Sequence, residues 1–264
     1  MCVSSLLLAA WCRPSFSWIA HLGHVPSWLW DGIHGWSAGS PGGIWHYGPG
    51  VHNDLVCYID AHYHDYASLL DVATNLGLVL ARLQDAHPTA AHVGSDVSQR
   101  MVEATHARCP ACTAQQFDLH ALLDPGFEPG AVGAPKVAEL VLVSDVLYYM
   151  NWAGWPPLLV RYVVPEAWVR ASQRRFFSNL RRLASVEVIF SSHQLNPTVV
   201  SALETGGAKR RHGVYSLGGG APRGRERRPW WRRSLPSQQA ALRRFRRCLN
   251  GTATPRLLPM RTGG

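Results

Sequence analysis

Four acidic side chains in this 264-residue chain are spaced so that they could line a single ligand site. Asp71, Asp96, Asp118 and Asp145 each close or directly follow a short apolar run. Such runs are typical of buried strands in a parallel sheet. In open parallel sheets, ligands bind beyond the carboxyl ends of the strands, where the strand order reverses. We therefore expect these acids to meet at one edge of a sheet.

Asp96 is the candidate for holding a ribose. It follows Gly77 by 19 residues, and this is the spacing at which a carboxylate beyond a glycine turn reaches a ribose diol. The alternative is that Asp96 only caps the turn between a strand and the following helix.

Two further side chains are candidate proton acceptors. His193 follows the fifth predicted strand and Tyr148 follows the fourth. Both residue types serve as general bases when they lie within hydrogen-bond reach of a reacting group. The alternative for His193 is that it ends the strand and caps a helix beginning near Asn196 and Pro197.

The elements that must position these residues alternate between strands and helices. Helical patterns follow the first, second and fourth predicted strands. The helix after the fourth strand is predicted over residues 168–184. This alternation predicts an α/β fold with a Rossmann-like, doubly wound, mostly parallel sheet. The predicted strands cover residues 68–72, 90–97, 112–117, 139–143 and 186–190, with a last one at 212–217.

Taken together, these segments resemble the class I S-adenosylmethionine-dependent methyltransferase family. Residues 93–104 are similar to the family's second strand and following helix, and residues 70–77 occupy the place of its glycine-rich first motif. Residues 117–120 resemble the third motif and residues 140–149 the fourth. The four motifs occur in the family's order.

The resemblance implies S-adenosyl-L-methionine as the cofactor and methyl transfer as the reaction. It implies that Asp71 and Gly77 lie against the methionine part and that Asp96 holds the ribose hydroxyls. It also implies that Asp118 meets the adenine amine and that Ser144 lies near the methyl group. Ala73, Val97 and Leu119 are further candidate cofactor-binding residues.

The first motif departs from the family's pattern. The family usually has Asp-x-Gly-x-Gly-x-Gly, whereas this chain has Ala73 and Asn75 at the first two glycine positions. Glycine lets the backbone turn tightly and approach a ligand without a Cβ in between. A catalytically inactive, methyltransferase-like binding protein is therefore an alternative.

Two other enzyme classes share single features with the chain. The 13 histidines and the segment His62-x-His64-Asp65 suggest a metal-dependent hydrolase, but no second histidine follows at the short distance such sites use, and we expect no metal. A nicotinamide dehydrogenase requires Gly-x-Gly-x-x-Gly, which residues 73–77 do not supply.

The positive charge is concentrated near the end of the chain. Residues 208–264 hold 15 basic residues and one acid, or +14, while the remaining 11 basic and 16 acidic residues give −5. Arginines among aromatic residues suit RNA or another polyanion. The methyl acceptor is expected to be a small molecule or a protein, because no amino-methylase motif follows the fourth strand.

Three segments are predicted. Residues 1–54 form a Trp-, Gly- and Pro-rich accessory segment without periodicity, residues 55–217 the methyltransferase domain, and residues 218–264 an Arg-rich tail expected to be disordered. The six cysteines are expected to be unpaired thiols in a reducing compartment. With no apolar run long enough for a membrane span, a cytoplasmic location is expected, and organelle targeting is the alternative.

Overall fold

The computed structural model describes most of the predicted domain and two helices from the flanking segments. The residues described are 26–38, 52–144, 146–147, 150, 166–191, 197–211, 214–219 and 235–250.

Helices and strands alternate over most of this length, as the hydrophobic pattern predicts. The elements are α1 Ser27–Ala38, α2 Asn53–Tyr63, β1 Ser68–Val72, α3 Leu78–Ala86, β2 Ala91–Asp96, α4 Gln99–Arg108, β3 Thr113–Gln116, a 3₁₀ turn Leu119–Leu123, β4 Ala138–Val143, α5 Glu166–Arg182, β5 Ala184–Ser191, α6 Pro197–Thr205, β6 Lys209–Arg211, β7 Val214–Gly218 and α7 Leu235–Leu249.

The strands form one seven-stranded sheet in the order β3-β2-β1-β4-β5-β7-β6. The pairs from β3 to β5 are parallel, and β7 runs antiparallel to both β5 and β6. The Rossmann-like, doubly wound and mostly parallel fold predicted from the sequence is confirmed. The chain winds outward from β1 in both directions, so the strand order reverses between β1 and β4.

Helices cover both faces of the sheet because neighbouring strand residues point to opposite sides. On β1, Leu70 packs in a core with α5 and α6, whereas Leu69 packs in a second core with α2, α3 and α7. This two-sided burial explains why the strands are nearly continuous apolar runs rather than alternating ones.

Helix α7 lies in the stretch that the sequence suggested was disordered. Ala241, Phe245 and Cys248 recur at helical spacing, and Ala241 and Phe245 are buried. This stripe packs on α2, and Cys248 forms a disulfide with Cys57. A single apolar stripe is enough to dock a helix that is otherwise strongly basic.

Helix α1 also lies outside the predicted domain limits, and it contacts α4. Its pattern escaped the sequence analysis because tryptophan, glycine and histidine residues break the apolar period. Helix α6 was suggested only by the cap near Pro197, and β6 was not predicted.

The expectation of unpaired thiols is wrong for the four cysteines within the described ranges. Cys57 pairs with Cys248 and Cys109 pairs with Cys112. The first pair joins residues 191 positions apart, a proximity that no local pattern encodes. Of the helices in the described part of the chain, none is long and apolar enough to cross a bilayer.

Candidate cofactor site at the carboxyl edge of the sheet

The candidate site lies at the carboxyl ends of β1 and β2, beside the reversal of strand order. Asp71 pairs in register with Gly94 of β2 and with Leu142 of β4, so it lies on an inner strand of the sheet. Asp96 ends β2. Both carboxyl groups are buried, with Asp71 2% and Asp96 6% exposed. The structure therefore brings together the two acids that the sequence places at the methionine part and the ribose.

The loop from β1 to α3 has an alternating left-handed backbone. Ala73, Asn75 and Gly77 have φ angles of 58°, 53° and 67°. These are the three positions at which the methyltransferase family that the sequence resembles has glycine. Since L-residues rarely adopt this conformation, the loop keeps the backbone path of a glycine motif although two glycines are absent.

Hydrogen bonds to neighbouring elements hold the loop in this path. The Thr74 amide donates to the Ser95 carbonyl at 2.9 Å, and the Asn75 amide donates to Asp96 Oδ2 at 3.0 Å. Thr105 Oγ1 on α4 donates to the Asn75 carbonyl at 3.0 Å. Because each bond fixes a backbone group, together they offset the conformational cost at Ala73 and Asn75.

Gly77 begins α3 and cannot be replaced without strain. A Cβ at this position would lie 3.0 Å from the Thr105 methyl carbon and 3.1 Å from its Cα, and the φ of 67° disfavours any L-residue. The retained glycine is the one packed directly against a helix backbone.

Asp71 has one carboxylate oxygen bonded and one without a partner. Thr74 Oγ1 donates to Oδ2 at 2.8 Å, while Oδ1 is buried and accepts no hydrogen bond. Burial, with a smaller contribution from the nearby Asp96 charge, raises the pKa of Asp71 to about 7. A buried acceptor without a donor is costly, and a cationic ligand group would satisfy it.

Asp96 accepts backbone amides with both oxygens. Ser98 N donates to Oδ1 at 2.9 Å and Asn75 N donates to Oδ2 at 3.0 Å. Burial raises the pKa of Asp96 to about 6 despite these bonds, and the nearby Asp31 charge adds to the rise. Asp96 therefore stabilises the turn between β2 and α4, which is the capping role given above as the alternative to ribose binding. Each of its carboxylate oxygens retains a second lone pair for a further hydrogen bond.

Asp31 on α1 is a site residue that the sequence analysis missed. Its Oδ1 accepts from Ser98 Oγ at 2.6 Å and from the Arg100 amide at 3.3 Å. These bonds attach α1 to the first turn of α4, directly beside Asp96. No local signal marks Asp31, because the contact joins segments 67 residues apart.

The remaining adenosine-side candidates lie next to one another. Asp118 follows β3, is 34% exposed, and accepts from the His120 amide at 2.9 Å. Val97 is half-buried, and its carbonyl accepts from Gln116 Nε2. The Leu119 side chain is buried in the core, so a cofactor contact from this residue would have to use its backbone.

Ser144 follows β4 and lies against a histidine that the sequence analysis did not select. Its Oγ lies 3.3 Å from Nε2 and 3.4 Å from Nδ1 of His52, and Ser191 Oγ at the end of β5 lies 3.5 Å from Nδ1. His52 precedes α2 with a φ of 63° and is 6% exposed. These three side chains form a polar cluster across the carboxyl ends of β4 and β5.

The two predicted bases, His193 and Tyr148, lie outside the described residues, as does Asp145. Their roles remain predictions. Ser144 and Ser191 are described, and they lie at the carboxyl ends of β4 and β5.

The residues that suggested a metal-dependent hydrolase do not converge. His62 is buried in α2 with its ring 4.5 Å from that of Tyr58, whereas the exposed His64 contacts Arg244. Within the described ranges, no group of three or more His, Cys, Asp or Glu side chains is arranged to hold a metal ion.

The solved structures that match this chain include many S-adenosylmethionine-dependent methyltransferases. An amino pentose methyltransferase from Micromonospora echinaspora is 18% identical, with a TM-score of 0.34, over 55% of this chain and 51% of that one. A TehB-like methyltransferase from Corynebacterium glutamicum is 12% identical, with a TM-score of 0.43, over 73% and 95% of the two chains. The pyocyanin biosynthetic protein PhzM is 14% identical, with a TM-score of 0.40, over 63% and 55%.

The matched part spans about half the length of the amino pentose methyltransferase. No family model and no curated protein matches the chain. At these identities and TM-scores, the neighbours specify neither the family, the acceptor nor the activity of this chain.

Proposed function

We propose that this chain binds S-adenosyl-L-methionine and transfers its methyl group to a small molecule or a protein side chain. The observation that carries the proposal is the loop in which Ala73, Asn75 and Gly77 share the left-handed conformation. It lies between two buried carboxyl groups at the reversal of strand order, where nucleotide-like ligands bind in open α/β sheets.

The charges and hydrogen-bonding groups of the site fit this cofactor. S-adenosylmethionine carries an ammonium group, and its positive sulfonium supplies an electrophilic methyl group when bound. Asp71 Oδ1 is a buried acceptor without a partner, so it suits an ammonium donor, and Asn75 Oδ1 is a second buried acceptor in the same state. We assign the methionine part to these residues and to Gly77.

Asp96 and Asp118 would hold the adenosine part. Each Asp96 oxygen has a further lone pair for a ribose hydroxyl. The partly exposed Asp118 carboxylate follows β3, the strand that pairs with β2, and it would accept a hydrogen bond from the adenine amine. The backbones of Val97 and Leu119, which directly follow these acids in the sequence, would contribute further contacts. Asp31 fixes α1 over the same turn, so α1 would close this end of the site.

We assign the acceptor to the carboxyl ends of β4 and β5. The cluster of Ser144, His52 and Ser191 lies there. Most catalysis of methyl transfer is the alignment of acceptor and methyl carbon, so these side chains would orient the acceptor. His193 and Tyr148 remain the candidate bases for an acceptor that loses a proton.

A catalytically inactive binding protein is the second candidate, and the side chains at Ala73 and Asn75 favour it. Each places a Cβ where the family has none. Binding alone is compatible with the preserved backbone path, whereas methyl transfer also demands exact placement of the methyl group. The two candidates differ in turnover and not in cofactor affinity.

Isothermal titration calorimetry with S-adenosylmethionine and S-adenosylhomocysteine tests the proposal. We expect micromolar dissociation constants, equivalent to about 8 kcal/mol. Absence of binding at millimolar cofactor would refute the proposal. Tritium transfer from labelled cofactor to small-molecule and protein fractions of a cell extract would then separate the enzyme from the inactive binding protein.

A further inference from the structure

Helix α7 carries an uninterrupted cluster of positive charge. Its sequence, Leu235–Leu249, contains four arginines and neither aspartate nor glutamate. All four are exposed: Arg243, Arg244, Arg246 and Arg247. The basic charge of the chain is therefore displayed on a folded element as well as in the sequence around it.

The helix is fixed to the domain by its opposite side. Ala241 and Phe245 are buried against α2, and the Cys57–Cys248 disulfide joins the same two helices. At 100° per residue, Arg243, Arg246 and Arg247 lie within about 100° of one another, on the side away from the stripe of Ala241, Phe245 and Cys248. Arg244 lies at the flank, where it contacts His64.

We propose that this arginine face of α7 binds the phosphate backbone of nucleic acid. Guanidinium groups match phosphate oxygens in a bidentate geometry, and their charge is retained at any physiological pH. Anchoring on α2 means that the helix itself need not be ordered on binding, which removes one entropic cost of association. Since the contacts are to phosphates, they carry no base specificity.

The placement of the apolar residues favours a polyanion over a membrane. A helix that lies on a bilayer inserts its apolar face among the acyl chains. In α7 the described residues of that face, Ala241 and Phe245, are buried on α2 and are therefore not free to insert among acyl chains. Of its large apolar residues, Leu249 at the helix end is 45% exposed.

The test compares the full chain with a variant in which all four arginines are changed to glutamine. The probe is a fluorescein-labelled 20-nucleotide RNA of mixed sequence, measured by anisotropy from about 50 to 200 mM salt. Each phosphate contact contributes about −0.7 to the slope of log K against log salt for a single strand. We expect the slope of the variant to be shallower by about 3 and its affinity near 100 mM salt to fall more than about 100-fold.

A matched control removes the same charge elsewhere. Arg108, Lys136, Arg170 and Arg174 are exposed outside α7, and their change to glutamine should leave the slope within about one unit of the wild-type value. The proposal is overturned if the α7 variant binds RNA as the wild type does, or if the control weakens binding equally. It is also overturned if the protein binds vesicles containing anionic phosphatidylserine but not RNA.

Discussion

The backbone at Ala73 costs free energy that glycine would not require. A left-handed L-residue is disfavoured by about 1–2 kcal/mol, partly offset by the extra freedom that glycine has in the unfolded chain. We expect Ala73→Gly to leave the free energy of unfolding unchanged or to raise it by up to about 1 kcal/mol, and to tighten cofactor binding modestly. Urea denaturation measures the first effect and calorimetry the second.

The control for this change is Ala104→Gly in the interior of α4, where the same substitution lowers stability by about 1 kcal/mol. Equal losses at Ala73 and Ala104 would show that the backbone at Ala73 is not left-handed.

Asp96 supports both the turn and the proposed ribose contact, so the choice of substitution matters. Alanine would leave the Asn75 and Ser98 amides without acceptors, whereas Asp96→Asn keeps one acceptor oxygen. We expect Asp96→Asn to weaken S-adenosylhomocysteine binding about 10- to 100-fold, the effect of losing a hydrogen bond to a charged group. Calorimetry measures this change.

Asp124→Asn is the matched control, since Asp124 Oδ1 accepts from the Gly126 amide in a similar turn and no cofactor contact is assigned to Asp124. If Asp96→Asn leaves the affinity for S-adenosylhomocysteine unchanged, Asp96 does not bind the cofactor.

The raised pKa values of Asp71 and Asp96, about 7 and about 6, predict a pH dependence of two quantities. Between about pH 4 and 7 the native state holds protons that the unfolded state has lost, so the stability of the unliganded protein falls as pH rises through this window. A cationic cofactor favours the ionised acids, so its affinity rises over the same range and binding releases protons.

Calorimetry at pH 6 and pH 8, in two buffers of different ionisation enthalpy, measures the affinity and the proton release. Asp71→Asn should abolish most of the release at pH 6. Affinity that is the same at both pH values would contradict the assignment of the cationic end of the cofactor to Asp71.

At the scale of elements, the Cys57–Cys248 disulfide ties α7 to α2. A cross-link between residues 191 positions apart stabilises by about 5 kcal/mol in the chain-entropy model, compared with about 2 kcal/mol for the short loop closed by Cys109 and Cys112. We therefore expect Cys248→Ser to lower the melting temperature more than the control Cys112→Ser does.

Alkylation of the denatured, unreduced protein, followed by mass spectrometry, counts the free thiols. We expect the four paired cysteines to be protected. Six modified cysteines would contradict the pairing and would support the reducing, cytoplasmic location expected from the sequence.

At the scale of the whole molecule, the basic tail contains a part that packs on the domain, α7, and residues beyond Asn250. We expect these two parts to contribute differently to stability. A chain truncated after Asn250 should keep its melting temperature, because α7 and its buried Phe245 remain. Truncation after Gly219 removes α7 and uncovers α2, whose Leu55 and Ile59 are fully buried. Loss of a buried phenylalanine alone costs about 3–5 kcal/mol, so we expect a fall of about 10 °C or more.

Differential scanning calorimetry distinguishes the two truncations. Equal melting temperatures would show that α7 contributes nothing to the folded domain.

Local sequence patterns predict the parallel part of the sheet and place Asp71, Asp96, Asp118 and Ser144 at the ends of its strands. Each of these predictions rests on local information. An apolar run predicts a buried strand, and a glycine after that strand marks the turn into the following helix. Parallel strands then bring their carboxyl ends to one edge of the sheet. The altered first motif is also visible in the sequence, although the backbone conformation at Ala73 and Asn75 is not.

Tertiary folding sets the left-handed path of both residues, because hydrogen bonds that join Asn75 to Asp96 and to Thr105, 21 and 30 residues away, hold the loop. It also brought His52 to Ser144, Asp31 to Ser98 and Cys57 to Cys248. These contacts join segments distant in the chain, and their partners are set by how helices pack on the finished sheet. Hydrophobic periodicity describes which face of an element is buried, but it does not specify which surface will cover that face.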